Sequence, residues 1–316
     1  MYNLESRQER CKVSIIIPCW NREKYIHKAI RSCLDQKYCN IEIIVVNDGS
    51  TDGSLEVINR FGDKILVKTT ENGGACRARN VGLAMARGKY VMFLDSDDYL
   101  EGKLISSLVE GMAASDAKMG FCPWVKVRDG DELMSTVMHD HLNWSEMASA
   151  WLLGHYVPPC AVMWRRSILD RIGGWDESLE KNQDGDIAIR ALLTKPSLFF
   201  SSVGRGVYRQ HDSEMRVSRA SPEKVHCSSL KIFNRVQNWL DKSYSRNIEK
   251  SLGLYAYGIA DYMYSNKLVE EGRFWEVAAN RKGVKYPSNT FIGSLFVFLF
   301  GLRRKIILRE YLALLK

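Results

Sequence analysis

The chain has 316 residues, 46% of them hydrophobic and 26% charged, and a formal net charge of +8. That balance is ordinary for a folded soluble protein; with no repeat or low-complexity stretch, it suits one large domain, or one domain with a smaller appendage. The eight cysteines (11, 19, 33, 39, 76, 122, 160 and 227) form no C-x-x-C pair, and Met1–Arg7 lacks the apolar core of a secretory leader, so they read as reduced thiols of a cytoplasmic protein.

The first half alternates between two hydrophobic periods. Val13-Ser14-Ile15-Ile16-Ile17 is a buried-strand run that Pro18 is expected to stop, and Ile26, Ala29, Ile30, Cys33 and Leu34 then fall at helical spacing, with Asn21 placed to cap the helix. Ile41–Val46 is a second strand, followed by the turn-forming stretch Asn47–Gly53 and a short helix carrying Leu55, Val57 and Ile58. A third strand is expected at Ile65–Val67, and a helix with Ala78, Val81, Gly82, Met85 and Ala86 on one face precedes the fourth strand, Tyr90–Leu94. Strands and helices alternating at this spacing predict right-handed crossovers and a mostly parallel sheet flanked by helices, an α/β fold.

That topology gives three polar clusters one address. Pro18–Asn21, Asp48 and Asp95–Asp98 each follow the carboxyl end of a different strand, and ligands of open α/β sheets bind along that edge. No G-x-G-x-x-G follows the first strand and no G-x-x-x-x-G-K-[ST] occurs anywhere, so dinucleotide and P-loop sites lose their best support. In an extended chain, Asp95 and Asp97 would turn their carboxylates to one spot, as suits a Mg²⁺ or Mn²⁺ ion shared with phosphate oxygens. An acidic turn leading into a helix near 102–114 is the plainer alternative. Asp48 is placed to accept from the N–H of a base and Trp20 to pack against it, although Asp48-Gly49-Ser50 is also a good turn and Trp20 also suits a core. Arg77 and Arg79 precede the acidic turn and suit phosphate oxygens or a solvated helix face equally.

Together these stretches resemble the family 2 glycosyltransferases, nucleotide-sugar-dependent enzymes of the GT-A fold. The resemblance is carried by Val13–Asn21, Glu42–Asp52, Ala78–Gly82, Gly88–Asp98, Gly173–Glu177 and Asn182–Arg190, in that order, over roughly residues 12–212. It implies that Asp48 contacts the base, usually uracil, that Asp95 lies near ribose and metal, and that Asp97 binds the metal bridging the diphosphate. Asp98 is a further candidate ligand, because relatives shift the pair by one residue. Pro18, Trp20, Asn21, Arg79 and Ser96 complete the expected nucleotide-sugar site. His211, in a Tyr-Arg-x-His pattern at the end of Gly206–His211, is implied as a metal ligand or diphosphate contact, with a structural histidine as the alternative. Asp184 matches the catalytic base; Gln183 stands where relatives often carry Glu, and Trp20 where they often carry Tyr. Read without the resemblance, Asp184 or Asp186 is equally a helix-start residue favoured by the dipole.

Beyond about residue 215 the resemblance fades. Ile232, Val236, Trp239 and Leu240, then 252–264 and 274–279, predict a helical region. The expected organisation is a glycosyltransferase domain over 1–215, with a nucleotide-sugar half at about 12–100 and an acceptor half at about 101–215, and a helical region over 216–316. The last 36 residues hold eight basic side chains against one acid, around the apolar stretch 291–302. Those twelve residues are too few to span a bilayer, which takes about 20. They suit a helix lying on the anionic inner face of a membrane, or a core or interface helix with a basic end. No nucleic-acid motif accompanies the charge. The sequence therefore reads as a metal-dependent inverting transferase that moves a hexose or N-acetylhexosamine from a UDP-sugar to a glycan, lipid-linked in one version, in cell-surface polysaccharide synthesis. A sugar nucleotidyltransferase and an inactive sugar-nucleotide-binding scaffold are the alternatives.

Overall fold

The computed structural model describes residues 11–128, 131–136, 142–210, 220–285 and 302. In chain order the elements are β1 (Val13–Cys19), α1 (Ile26–Leu34), β2 (Ile41–Asp48), α2 (Ser54–Asn59), β3 (Leu66–Thr70), α3 (Ala75–Met85), β4 (Tyr90–Phe93), β5 (Tyr99–Glu101), α4 (Leu104–Ala114), β6 (Met119–Phe121), β7 (Trp124–Arg128), β8 (Asp131–Thr136), α5 (Trp144–Leu152), β9 (Val162–Arg165), α6 (Arg166–Ile172), α7 (Gln183–Leu192), β10 (Leu198–Phe200), β11 (Arg205–Arg209), α8 (Pro222–Leu240), α9 (Arg246–Ser265) and α10 (Val269–Asn280). They gather into two compact units. The first takes its described residues from 11–144, 157–178 and 194–210, the second from 145–156, 179–193 and beyond 220. Residues 145–156 and α7 group with the C-terminal helices.

The first unit is built on a seven-stranded sheet in the order β10-β6-β9-β4-β1-β2-β3. All its pairings are parallel except those of β9, which runs against β4 and β6. Every residue of β1 and β4 is buried, as expected for central strands covered on both faces. On α1 the buried residues are Ile26, Ala29, Ile30 and Cys33, the helical stripe read from the sequence. A Cβ on Gly82 of α3 would fall 2.3 Å from Ile16 Cγ2, so this glycine lets the helix backbone lie directly on β1. A second sheet, β5-β11-β7-β8, encloses Val125, Val127 and Val207, with Tyr99 against them.

Two local expectations are corrected. Pro18 does not stop β1, which continues to Cys19 in register with Asn47. Alternate residues of a parallel strand bond to the same neighbour, so Pro18 faces the side of Ile16, whose carbonyl accepts from Leu94. Pro18 thus lies one step past the last β1–β4 pair, Ile16 with Phe93, where its missing N–H removes only a final ladder bond at the strand end. Asn21 does not cap α1, which begins at Ile26 behind Tyr25 without a side-chain cap.

In the second unit α8, α9 and α10 pack around Trp275, which is fully buried. Its ring meets Phe233, Tyr255 and Phe274 edge to face, and its indole N–H donates to His226 Nδ1 at 3.1 Å. Trp239 on α8 donates to the Leu193 carbonyl at 2.8 Å, fixing the end of α7. Among the described residues no helix is long and apolar enough to cross a membrane. The segment 291–302 lies outside the described residues except for Leu302, which is buried and whose amide donates to Glu276. All eight cysteines are free thiols.

Candidate active site

Parallel register aligns the strand ends of the first unit. Cys19 of β1 pairs with Asn47 of β2, and Leu94, just past β4, donates to Ile16 of β1. The loops after β1, β2 and β4 therefore emerge along one edge. The first two are stitched together by side chains. Thr51 N–H donates to Asn21 Oδ1 at 2.8 Å, Asn21 N–H to Ser50 Oγ at 3.1 Å, and Arg22 N–H to Ser54 Oγ at 2.7 Å. Glu23 and Asp52 each accept from the other loop, through Gly53 and Glu23 N–H. This network holds Asn21 at φ 50°, a left-handed conformation asparagine tolerates better than most residues. It leaves Trp20 on the rim, 37% exposed, where a flat ligand can reach it.

The acidic stretch is a tight turn rather than an extended strand, closed by Asp98 N–H donating to the Asp95 carbonyl. Asp95 and Asp97 are each held by an ion pair. Asp95 Oδ1 lies 2.6 Å from Arg79 Nη2, and the Arg79 guanidinium sits 4.2 Å over the Trp175 ring. Asp97 Oδ2 lies 3.3 Å from Arg22 Nε. The side chains of Asp95 and Asp97 stay 26% and 19% exposed. Asp98 is only 1% exposed and accepts the backbone N–H of Arg209 at 2.9 Å, tying the turn to β11. Burial, reinforced by the charges of Asp97 and Asp95, pushes its carboxyl well above the usual carboxylate range. The neighbouring Cys160 thiol is raised too, by burial and then by Asp98. Ser96 is buried beside the Cys19 thiol, whose pKa burial pushes to about 11.

As donors for an ion, Asp95 and Asp97 are hard and partly open, the chemistry that suits Mg²⁺ or Mn²⁺ completed by phosphate oxygens. Among the described residues no three His, Cys, Asp or Glu side chains gather as a ready ligand set. His211 lies outside the described residues.

Asp48 is bonded on both carboxylate oxygens to the turn that follows β3. Its Oδ1 accepts from Gly73 N–H at 2.9 Å and the Thr70 hydroxyl at 3.4 Å; Oδ2 accepts from Gly74 N–H at 2.8 Å and the Asn72 amide at 3.4 Å. A carboxylate offers about four acceptor positions, and all are used. Asp48 thus anchors the 70–74 turn that leads into α3, which carries Arg77 and Arg79. Gly74, at φ 88°, supplies a backbone shape closed to other residues.

In the second unit Asp184 stands in the first turn of α7, half-buried, behind Asn182 at φ 55°. A Cβ on Gly185 would fall 2.1 Å from Asn182 Oδ1, which explains a glycine between two aspartates. Gln183 donates its side-chain amide to the Leu179 carbonyl at 2.8 Å, a bond that a glutamate could not make. Asp186 is buried and lies 2.6 Å from Arg190 Nη2, with Arg235 of α8 bonded to its other oxygen. Sequence reasoning passed over Arg22 and Arg235, and it quoted Trp175 and Arg209 only within longer stretches, without a role of their own. Only the Asp186–Arg190 spacing of four carried a signal that could have been read.

The family described as "Glycosyl transferase family 2" matches residues 14–173, half of the chain. An uncharacterised glycosyltransferase of Haemophilus influenzae is 44% identical over 119 residues, 35% of this chain and 48% of that one, so the match spans about half the length of that relative. Among solved structures, S. aureus TarS 1-349 in complex with UDP-GlcNAc aligns over 87% of this chain and 93% of its own, with a TM-score of 0.63 at 19% identity. The mannosyltransferase PcManGT from Pyrobaculum calidifontis, in complex with GDP-Man and Mn2+, aligns over 94% and 85%, with a TM-score of 0.57 at 14% identity. These likenesses establish the fold, which is that of the GT-A glycosyltransferases.

Proposed function

The chain belongs to glycosyl transferase family 2, and from that premise we propose that it transfers a hexose or N-acetylhexosamine from a UDP-sugar to a glycan acceptor, with inversion and with a divalent cation. The observation that carries the reading is the shared edge of β1, β2 and β4, where an exposed Trp20 and two partly open carboxylates, Asp95 and Asp97, lie on loops fixed by their own side chains. Trp20 offers a ring face to the base, and Asp48 shapes the pocket by holding the 70–74 turn. Asp97, with Asp95, would hold Mn²⁺ or Mg²⁺, which supplies positive charge against the diphosphate as it leaves. The acceptor oxygen forms a bond to the anomeric carbon as the bond from that carbon to the diphosphate breaks. The electron pair departs with UDP, and the hydroxyl proton passes to the carboxylate of Asp184. The UDP-GlcNAc complex of one fold neighbour supports a UDP-N-acetylhexosamine as the first donor to try.

A lipid-linked glycan acceptor in cell-surface polysaccharide synthesis fits the basic, apolar stretch 291–316, which would rest on an anionic membrane at the cytoplasmic side. Deleting residues after Tyr286 should then abolish co-sedimentation with anionic vesicles while donor hydrolysis continues. Unchanged co-sedimentation would remove the membrane role.

The deciding experiment screens UDP-, GDP- and dTDP-sugars with Mn²⁺ or Mg²⁺, scored by hydrolysis and thermal shift. A UDP-sugar that is hydrolysed, in a reaction EDTA stops, is the expected result. A preference for GDP-sugars, or full turnover in EDTA, would overturn the donor or the metal assignment respectively.

A further inference from the structure

We infer that Arg22 is a latch on the carboxylate turn: it holds Asp97 against a divalent cation until the donor's diphosphate arrives, acting as a positioning residue through Asp97. The inference rests on the reading of Asp97 as a metal ligand given above.

Arg22 is placed for this by three contacts of one side chain and one of its backbone. Nε donates to Asp97 Oδ2 at 3.3 Å, and Nη1 donates to the carbonyls of Asn21 at 2.9 Å and Trp20 at 3.4 Å. The backbone N–H is fixed on Ser54. A single guanidinium thus spans the loop that presents Trp20 and the turn that presents Asp97, and it is only 15% exposed. Arginine suits the task because its planar fork serves several acceptors at once, where a lysine is a point charge on a flexible stem.

The charge balance explains why this contact would gate a cation. Of the three carboxylates in the turn, Asp95 and Asp97 are each matched by a guanidinium, and Asp98 is sealed inside. The donor-free turn therefore offers little net negative charge to a divalent ion, and the ion would also meet the Arg22 cation across the same oxygen. A diphosphate brings negative oxygens that can take over the guanidinium while completing the ion's coordination. Cation binding becomes dependent on the donor.

The test is Mn²⁺ affinity, read by the EPR signal of free Mn²⁺, for the wild type, Arg22→Gln and Arg22→Lys, each with and without UDP. Arg22→Gln removes the charge and keeps a donor group, so it should bind Mn²⁺ without UDP about tenfold more tightly than the wild type, the scale of charges at contact distance fully screened by water. Its affinity should then respond little to UDP. Arg22→Lys keeps the charge and should retain the UDP dependence. If Arg22→Gln does not fold, as judged by its melting transition, Arg22→Met supplies the same neutral side chain. A wild type whose Mn²⁺ binding needs UDP, paired with a neutral variant of identical donor-free affinity, overturns the latch alone. A wild type that binds no Mn²⁺ with or without UDP overturns the metal reading, and the latch with it.

Discussion

Asp98 in the first unit and Asp186 in the second are each about 1% exposed, and each sits within two residues of a carboxylate that stays partly open. Their partners differ in kind. Asp98 accepts a peptide N–H and lies beside a thiol, with no ion pair to it among the described residues, and its pKa rises well above the ordinary range because burial disfavours the charged form. Asp186 is clasped by Arg190 and Arg235, two cations on one carboxylate. Counting acidic residues in a motif therefore overstates its negative charge. In both regions one aspartate is given to the fold so that its neighbour can be presented to chemistry.

The sharpest test of that division sets Asp184 against Asp186. Asp184→Asn keeps the shape of the helix start and loses the base, so kcat should fall by about 10²–10⁴ while UDP affinity and melting temperature hold nearly constant. Parallel loss of UDP binding would make Asp184 a donor-site or structural residue.

Asp186 should behave in the opposite way. Asp186→Ala leaves two guanidiniums facing a buried gap, and breaking a buried pair from one side costs about 3–5 kcal/mol. Urea unfolding should show that loss directly. A variant as stable as the wild type would mean that Arg190 and Arg235 find other partners, and the assignment of Asp186 to the fold would fail.

Much of the first unit was legible because its strands are short apolar runs that end in polar turns, and parallel topology sends those turns to one edge. Ile26, Ala29, Ile30 and Cys33 showed the buried face of α1 directly. What stayed hidden depends on partners distant in sequence. Tyr99–Glu101 is a strand only because β11, about a hundred residues on, pairs with it. Nothing local announces that Gly73 and Gly74 will donate to the oxygens of Asp48. Asn21 had the right chemistry for a helix cap, but Ser50 and Thr51 lay closer in space than the helix start. The Asp95–Asp98 motif marked the right place, while the choice of which carboxylate is buried was made by Arg209 and Cys160, far along the chain.

The smallest effect is expected at Asp98, and it is also the most discriminating. A protonated carboxyl is close in shape and hydrogen bonding to an amide, so below its folded pKa Asp98→Asn should cost less than about 1 kcal/mol, whereas Asp98→Ala leaves the Arg209 N–H without its acceptor and should cost about 1–3 kcal/mol. The pH dependence has a definite sign. A carboxyl whose folded pKa is raised contributes stability that is fully present below the unfolded value of about 3.9 and is lost as pH rises through the folded value. Asparagine has no such dependence. Measured by urea unfolding in chelator, so that no cation touches the turn, the stability of wild type relative to Asp98→Asn should fall as pH is raised from about 4 and level off once the folded value is passed. A difference that stays flat with pH, or an asparagine as costly as the alanine, would mean that Asp98 is buried as a charged group, and the contrast with Asp186 would collapse.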